Sequence, residues 1–265
     1  MEDNSTSGNS EYLTRPEHKL VDLRENLLAM GIKPSDKILV HSSLKAIGPI
    51  EGGADGLISL LTSVLDKGAL QMPAHTWQQV GKETMRFLHE TMPTCVGVLS
   101  ERFRLSSGVI RSAHPTHSNS GWGVGIRDML AGQEKFDTPC APESTYGRLG
   151  EEGYKIFLLG VDFGRNTAVH GLEEKAEVPG RLTEDRQALE VEFADGTVVS
   201  SPQHRHMGVG SDRYVRVQPM LEEAGILRRG LLGYAQVLYM DAAPMFDRVV
   251  DLLRRDPSFF TRDEV

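Results

Sequence analysis

Several features that define other protein classes are scarce or absent in this sequence. Only two cysteines occur in 265 residues, Cys95 and Cys140, and their spacing fits neither a disulfide framework nor a metal motif, so both are expected to be unpaired. No apolar run approaches the roughly 18 residues that suggest a membrane span. Acidic residues outnumber basic ones 37 to 29, which argues against nucleic acid as a partner.

Sequence signatures of three common enzyme classes are also missing. There is no Walker pattern and no Gly-x-Gly-x-x-Gly after a strand, which disfavours nucleotide hydrolysis and dinucleotide redox chemistry. Neither Ser42 nor Ser118 lies in a Gly-x-Ser-x-Gly elbow, which weakens a serine hydrolase interpretation. Residues 1–15 are polar and lack the apolar core of a secretory signal, so they are predicted to form a disordered tail of a cytoplasmic protein.

What the sequence does contain is an alternation of strand and helix patterns. This alternation predicts an α/β fold, layered α/β/α around a central mixed sheet, in one domain over residues 16–265. The elements are predicted from hydrophobic periodicity and from Gly and Pro positions. In chain order they are a helix over 14–31, a strand over 37–44, a helix after Gly52-Gly53, a strand over 69–74, a helix over 96–105, a strand from Ile156, a helix from Asn166, a strand over 233–240 and a helix over about 241–255.

Two segments do not follow the alternation. Residues 75–93 show no clear period, and residues 173–216 include a hairpin-like stretch, LEVEFADGTVVS, in which Asp195-Gly196 is the predicted turn. Long excursions beside an α/β core often carry specificity. Together they are expected to form a smaller inserted substrate-specificity region.

The stretch IFLLGVDFGRNTAVHGLEEKAEV, from Ile156 to Val178, combines a buried-looking strand with chemically useful residues. Asn166 is predicted to cap a helix, on which His170 and Glu173 share one face because they are three residues apart. This helix would begin just beyond the carboxyl end of the strand. Such positions border the crevices in which open α/β sheets bind ligands.

Two other polar segments are candidates for ligand contacts. The segment His41-Ser42-Ser43-Leu44 ends a predicted strand before a Gly-rich bend, where hydroxyl and backbone N–H groups could hold a phosphate. The alternative is an ordinary turn in which the serines satisfy local backbone groups. The segment from His114 to Ser118 could line a pocket with one histidine, or could be a braced loop.

A third group of histidines lies in the second excursion. In a strand, His204 and His206 would share a face, and together with His170 and Glu173 they could bind zinc. The spacing matches no metal motif, so surface histidines are the alternative interpretation.

Taken in order, these segments resemble the antibiotic N-acetyltransferases, the aminoglycoside 3-N-acetyltransferase family, over nearly the whole chain. Each match is weak alone, but the order and spacing are specific. The matching stretches are ILVHSSLKAIGPIEGG, MPAHTW, VGVLSERFR, RSAHPTHS, STYGRL, IFLLGVDFGRNTAVHGLE and the closing strand and helix.

The resemblance implies transfer of an acetyl group from acetyl-CoA to an amine on the 2-deoxystreptamine ring of a cationic aminoglycoside, which confers antibiotic resistance. His170 is implied to be the general base, and an imidazole can take a proton from an amine near neutral pH. No metal is expected, and the protein would be a monomer or a homodimer. The implied coenzyme-binding residues are His41, Ser42, Ser43, Leu44, His114, Thr116 and Ser118. The implied acceptor-binding residues are Trp77, Glu83, Asn166, Thr167 and His204.

The sequence departs from the family pattern at two places. Family members usually carry an acidic residue that supports the base, but the corresponding segment here, residues 203–207, reads Gln-His-Arg-His-Met. Glu173 could replace that acid, or His206 could partner His170 instead. The acidic positions expected after Trp77 are also missing, with only Glu83 and Glu90 further along.

Three other functions remain open from the sequence. One is a zinc-dependent enzyme on the same scaffold, and another is an acyltransferase that acts on an amine other than an aminoglycoside. The third is a protein that binds an amine or an acyl-CoA without turnover.

Overall fold

The computed structural model describes residues 15–262, so the tail predicted for residues 1–15 lies, apart from Arg15, outside the described residues. The strands are β1 (Lys37–Ser42), β2 (Ala69–Pro73), β3 (Arg86–Leu88), β4 (Ile110–Arg111), β5 (Asn119–Gly123), β6 (Tyr154–Leu159), β7 (Glu190–Glu192), β8 (Val198–Ser200), β9 (Arg228–Leu232) and β10 (Ala235–Asp241). The α-helices are α1 (Leu20–Ala29), α2 (Leu44–Ile47), α3 (Gly53–Val64), α4 (Val98–Arg104), α5 (Ile126–Leu130), α6 (Ala168–Lys175), α7 (Gln218–Glu223) and α8 (Ala242–Arg255).

Seven strands form a central mixed sheet in the order β4-β5-β2-β1-β6-β10-β9. The three middle strands, β2, β1 and β6, are parallel, whereas the flanking strands are antiparallel to their neighbours. Strand β1 pairs with β2 on one side and with the later strand β6 on the other. The order in which successive strands are added to the sheet therefore reverses at β1. The carboxyl ends of β1 and β6 therefore border a crevice of the kind in which α/β proteins bind ligands.

Helices cover both faces of this sheet, which confirms the predicted α/β/α layering. Successive strand residues face opposite sides, so β6 sends Ile156 and Leu158 to one core and Phe157 and Leu159 to the other. The first core also contains the buried apolar side chains of α6 and α8. The second contains those of α1, α3 and α4.

The two excursions pair with each other in a second sheet, of order β3-β7-β8. Strand β3 comes from residues 75–93, and the β7–β8 hairpin comes from residues 173–216. The predicted hairpin is confirmed, since Gly196 takes the positive φ of 83° that its turn requires. A small core of its own, including Phe87, Leu189 and Val191, supports this sheet.

Several element bounds differ from the sequence prediction. The first helix begins at Leu20 rather than near Pro16, and the strand predicted from Ile156 begins two residues earlier, at Tyr154. Strands β3, β4, β5 and β9 and helices α2, α5 and α7 were not predicted. Cys95 and Cys140 are both unpaired. Across residues 15–262, no helix has the length and apolar character needed to cross a membrane.

Candidate active site

A cavity of about 950 Å³ lies beside the carboxyl ends of the parallel strands. The ends of β1 and β2 contribute His41, Ser42 and Pro73, and Val161 follows β6. Residues of both excursions line the cavity. The first contributes Trp77, Gln78, Val80, Gly81 and Lys82, and the second includes Thr183, Gln187, Leu189 and the segment Gln203–Met207.

Helix α6 carries His170 to the wall of this cavity. The chain leaves β6 through Gly160, which has a φ of 66° and would place a Cβ only 2.5 Å from that of Ala46. A glycine is therefore required at this bend. Gly171 has a comparable role inside the helix, because a Cβ there would lie 3.1 Å from the carbonyl oxygen of Cys140.

The helix cap predicted for Asn166 is wrong. Thr167 occupies the N-cap position of α6, and no side chain caps the helix. The preceding residues, Phe163–Arg165, form a 3-10 turn, so Asn166 lies at the end of that turn with its side chain fully buried. Its amide nitrogen and oxygen have no hydrogen-bond partner within the described chain, although the residue lines the cavity. Buried polar groups normally have partners, so these two atoms are an exception within the described chain.

His170 lines the cavity with one edge, and its Nδ1 faces a group of buried polar side chains. The Tyr214 hydroxyl lies 2.6 Å from His170 Nδ1 and 2.6 Å from Glu173 Oε2. The direct distance from His170 Nδ1 to Glu173 Oε2 is longer, at 3.5 Å. Glu173 therefore supports His170 mainly through Tyr214, a residue that the sequence did not single out.

Arg181 completes this arrangement. Its guanidinium donates to both carboxylate oxygens of Glu173, at 2.7 and 3.1 Å, and the two side chains are only 3% and 1% exposed. Burial alone would raise the pKa of Glu173, but hydrogen bonds from His170, Arg181 and Tyr214 outweigh it and lower that pKa. Burial, followed by the nearby Glu173 carboxylate, raises the pKa of Tyr214. We call Glu173, Arg181 and Tyr214 the buried network.

The buried network fixes the tautomer of His170. An ionised Glu173 can only accept hydrogen bonds, so the single proton of the Tyr214 hydroxyl points to Glu173. The Tyr214 oxygen must then accept from Nδ1–H of His170. In the neutral imidazole, Nε2 is consequently unprotonated and can accept a proton.

One hypothesis from the sequence made His206 the partner of His170. The two side chains do not form a hydrogen bond with each other. The two rings are stacked instead, with centroids 4.0 Å apart and an angle of 11° between their planes. His206 Nε2 donates to Glu174 Oε1 at 2.9 Å, and Glu174 also accepts from the Thr138 hydroxyl and the Cys140 backbone N–H. Burial lowers the pKa of His206 to about 4, so this ring is neutral at neutral pH.

Other histidines extend the same wall. His117 stands between His206 and His75, with ring centroids 5.9 and 4.7 Å away, and His75 Nε2 lies 2.6 Å from the Tyr146 hydroxyl. Burial, reinforced by the neighbouring histidines, lowers the pKa of both His75 and His117. Burial also lowers the pKa of His41 to about 3. The cavity wall next to His170 is therefore polar, and these buried histidines are neutral near neutral pH.

Several residues predicted on the coenzyme do not line the cavity. His114 and Ser118 are buried, and their atoms are used within the protein, because His114 Nδ1 accepts two backbone N–H bonds and the Ser118 hydroxyl donates to Ala74. These bonds match the braced-loop alternative, and direct contact of His114 and Ser118 with the coenzyme stays a prediction. Ser43 is the N-cap of α2, and like Leu44 it lies beside the lining rather than in it.

The remaining predicted residues divide into two groups. His41, Ser42, Thr116, Trp77, Thr167 and His204 line the cavity. Glu83 does not, because its exposed side chain lies outside the lining, and its contact with the acceptor stays a prediction. No sequence signal marked the lining residues Lys82, Arg165 and Arg205, which are isolated cations in polar segments.

The four-residue zinc set considered from the sequence does not assemble. Glu173 is held by Arg181, and His204 Nδ1 donates to the Thr183 carbonyl at 2.6 Å. A different set, Cys140, Glu174 and His206, brings its ligand atoms within 4.8 Å of one another. Glu174 and His206 already bond each other at 2.9 Å, so this set forms a closed hydrogen-bonded group.

Comparison with known proteins identifies related sequences and folds. The family model for aminoglycoside 3-N-acetyltransferase matches residues 39–254. Aminoglycoside N(3)-acetyltransferase IV from Salmonella sp is 28% identical over 247 residues, which cover 92% of this chain and 90% of that protein. A solved complex of an aminoglycoside acetyltransferase AAC(3)-IVa mutant with a gentamicin has a TM-score of 0.81 and 25% identity, covering 95% of this chain and 94% of its own. The binary structure of AAC-IIIb with CoASH shares the fold, with a TM-score of 0.78 and 22% identity over 91% of this chain and 97% of its own.

Proposed function

This chain belongs to the aminoglycoside 3-N-acetyltransferase family, and from that premise we propose that it acetylates an aminoglycoside amine with His170 as the general base. The protein is an acetyltransferase whose co-substrate is acetyl-CoA. The acceptor is the 3-amino group of the 2-deoxystreptamine ring, and its acetylation confers resistance. One observation carries the role of His170: its ring lies between the cavity and the buried network.

In the proposed reaction, His170 Nε2 removes a proton from the acceptor ammonium, which frees the nitrogen lone pair to attack the thioester carbonyl. The resulting imidazolium keeps its Nδ1–H bond to Tyr214. Tyr214 connects that ring to the Glu173 carboxylate by hydrogen bonds. The negative charge of Glu173 thereby stabilises the positive charge that forms on His170 in the transition state. Arg181 keeps Glu173 ionised and in place.

The coenzyme is proposed to enter along the carboxyl end of β1, where Ser42 and His41 line the cavity. His41 Nε2 is buried without a protein partner, and so is the Asn166 amide. The Asn166 amide nitrogen is a donor suited to the negative charge that develops on the thioester oxygen. Residues 16–265 are proposed to act as one catalytic domain in which the excursions 75–93 and 173–216 select the acceptor.

Replacement of the base tests this proposal. His170→Ala is expected to lower turnover by about 10²- to 10⁴-fold, measured as free thiol released from acetyl-CoA in the presence of a 2-deoxystreptamine aminoglycoside. Melting temperature and acetyl-CoA affinity should change little, because His170 borders open space rather than filling the core. His89→Ala is the matched control, since His89 bonds Glu90 and Arg111 outside the cavity. Normal turnover in a folded His170→Ala protein would exclude His170 as the base.

A further inference from the structure

The charge of the cavity is opposite to that of the whole protein. The chain has a formal net charge of −8, yet no Asp or Glu is found among the residues that line the cavity within the described chain. Three lining residues are cations: Lys82, Arg165 and Arg205. We call these three the cationic rim.

The cationic rim is not neutralised by the protein itself. All three side chains are exposed, and within residues 15–262 neither arginine side chain makes an ion pair or hydrogen bond. Lys82 lies over the ring of Trp77, with Nζ 5.4 Å from the ring centroid. By contrast, most other exposed arginines near the excursions are paired, as Arg86 is with Glu190 and Glu192. The rim is therefore available to an anionic group of a ligand.

The position of the rim relative to the base suggests which ligand that is. Arg205 directly precedes His206, whose ring stacks on His170, and Arg165 directly precedes the cavity-lining Asn166. Lys82 and Arg205 belong to the two excursions, which are proposed to select the acceptor. An anion held by these residues would therefore belong to the molecule whose amine meets His170.

We propose that the cavity also acetylates amines that carry an anionic group, such as a phosphate or a carboxylate. Arg165 and Arg205 bind the anion, and His170 deprotonates the ammonium group. The amine nitrogen then forms a bond to the thioester carbon, the carbon–sulfur bond breaks, and the acylated nitrogen loses its remaining extra proton to the departing thiolate, which gives the amide and free CoA. This inference rests on the proposed acetyltransfer and adds an acceptor class to it.

The physical basis is charge complementarity. A polycationic aminoglycoside would meet only neutral and cationic side chains in this cavity, whereas an acidic amine pairs its anion with the rim and presents its ammonium group to the neutral histidines. Complementary charge raises association rates and fixes the orientation of a ligand. Charge-assisted bonds from arginine to phosphate or carboxylate are also stronger than neutral ones.

Matched pairs of amines that differ by one phosphate test the proposal. The probes are glucosamine 6-phosphate against glucosamine and O-phosphoethanolamine against ethanolamine, with thiol release from acetyl-CoA as the readout. The phosphate member of each pair should have a kcat/KM at least about tenfold higher, which is the effect of one charge-assisted hydrogen bond. A gentamicin, measured in parallel, reports the proposed aminoglycoside activity by itself.

Substitutions of Arg165 and Arg205 test whether these residues bind the anionic group of the acceptor. Arg165→Gln and Arg205→Gln should each raise KM for glucosamine 6-phosphate about tenfold and leave KM for glucosamine and for acetyl-CoA unchanged. Arg127→Gln is the matched control, because Arg127 is an exposed arginine outside the cavity. Its constants should equal those of the wild type.

Three results would overturn the inference. Equal kcat/KM within both pairs would show that the rim does not recognise an acceptor anion. An increase in KM for acetyl-CoA in the arginine variants would assign the rim to the phosphates of the coenzyme instead. Both results are compatible with acetylation of gentamicin, whereas no thiol release with any acceptor would refute the acetyltransferase assignment and this inference together.

Discussion

The buried network and the cationic rim face the same cavity but are built in opposite ways. In the buried network, Glu173, Arg181 and Tyr214 are almost completely buried, and their polar atoms bond one another. In the cationic rim, the charged groups are exposed and the two arginines have no partner in the described chain. A saturated, buried arrangement holds one geometry, as a general base requires.

The difference in burial and hydrogen bonding indicates that the buried network and the cationic rim have different roles in the same site. Removing a member of the buried network leaves another buried group without its partner, so both stability and chemistry should suffer. Removing a rim charge leaves nothing unsatisfied, so only ligand binding should change. Substitutions in the two regions can therefore be told apart by measuring folding and kinetics on the same protein.

The largest expected effect comes from Glu173→Gln. This change leaves the Arg181 guanidinium buried without its counter-charge, and breaking a buried ion pair in this way costs about 3–5 kcal/mol of unfolding free energy. Denaturant unfolding of wild type and variant measures the loss. Turnover should fall as well, because the charge that supports the His170 imidazolium is gone.

An exposed ion pair is the control for this prediction. Glu190→Gln breaks the pair with Arg86, whose side chains are 43% and 45% exposed, and should cost less than about 1 kcal/mol. If the two glutamine variants lose equal stability, the contrast between buried and exposed charges in this protein is wrong.

A smaller effect is expected from Tyr214→Phe, which keeps the ring and removes the oxygen between His170 and Glu173. Turnover should fall about tenfold to a hundredfold with little change in acceptor KM, since the lost interaction stabilises the imidazolium in the transition state. The neutral His170 ring should also no longer favour the tautomer with its proton on Nδ1. The ¹⁵N chemical shifts of His170 measure this change. Tyr239→Phe is the control, because Tyr239 stacks on Phe157 in the central sheet.

A structural role alone would give another pattern for Tyr214. A variant with a lower melting temperature, an unchanged tautomer and normal kcat would show that Tyr214 packs against the site without positioning its base.

Local patterns in the sequence were sufficient to predict the elements that bring His170 to the cavity. One continuous segment of the chain contains the buried strand β6, the following turn and the helix on which His170 and Glu173 share a face. Hydrophobic periodicity and helical spacing can be recognised within such a segment. The hairpin at Asp195-Gly196 was predictable for the same reason. Strands β5 and β9 were missed because NSGWG and RRGLL lack apolar alternation and depend on pairing with their neighbours.

Tyr214 and Arg181 could not be predicted as neighbours of His170 and Glu173, because they come from more distant parts of the chain. Tyr214 is 44 residues from His170, and no periodicity relates them. Residues 203–207 contain no acid, and Glu173 was the replacement that the sequence offered. Glu173 supplies the negative charge from within the helix, and Tyr214 carries it to His170. The cap assigned to Asn166 failed because a 3-10 turn shifts the start of α6 beyond it.

The smallest effect concerns the pH dependence of stability. In the folded protein, burial lowers the pKa of His206 to about 4, and the groups that face it are His170, His117 and Glu174. The unfolded chain has a histidine pKa of about 6.5, so between these two values only the unfolded state takes up the proton. The contribution of His206 to stability is therefore complete above pH 6.5 and is lost as the pH falls toward 4, by up to about 1.4 kcal/mol per pH unit.

His206→Gln should flatten this dependence without removing the bond to Glu174, because a glutamine amide can donate as the imidazole N–H does. Urea unfolding at pH 7.0, 6.0 and 5.0 should give a slope of unfolding free energy against pH that is smaller than in the wild type by about one proton, or 1.4 kcal/mol per unit. Arg205→Gln, one residue away on the cationic rim, leaves every histidine in place and should keep the wild-type slope. Identical slopes in all three proteins would mean that His206 is not held neutral by burial. The cavity wall beside His170 would then not be the uncharged counterpart of the cationic rim.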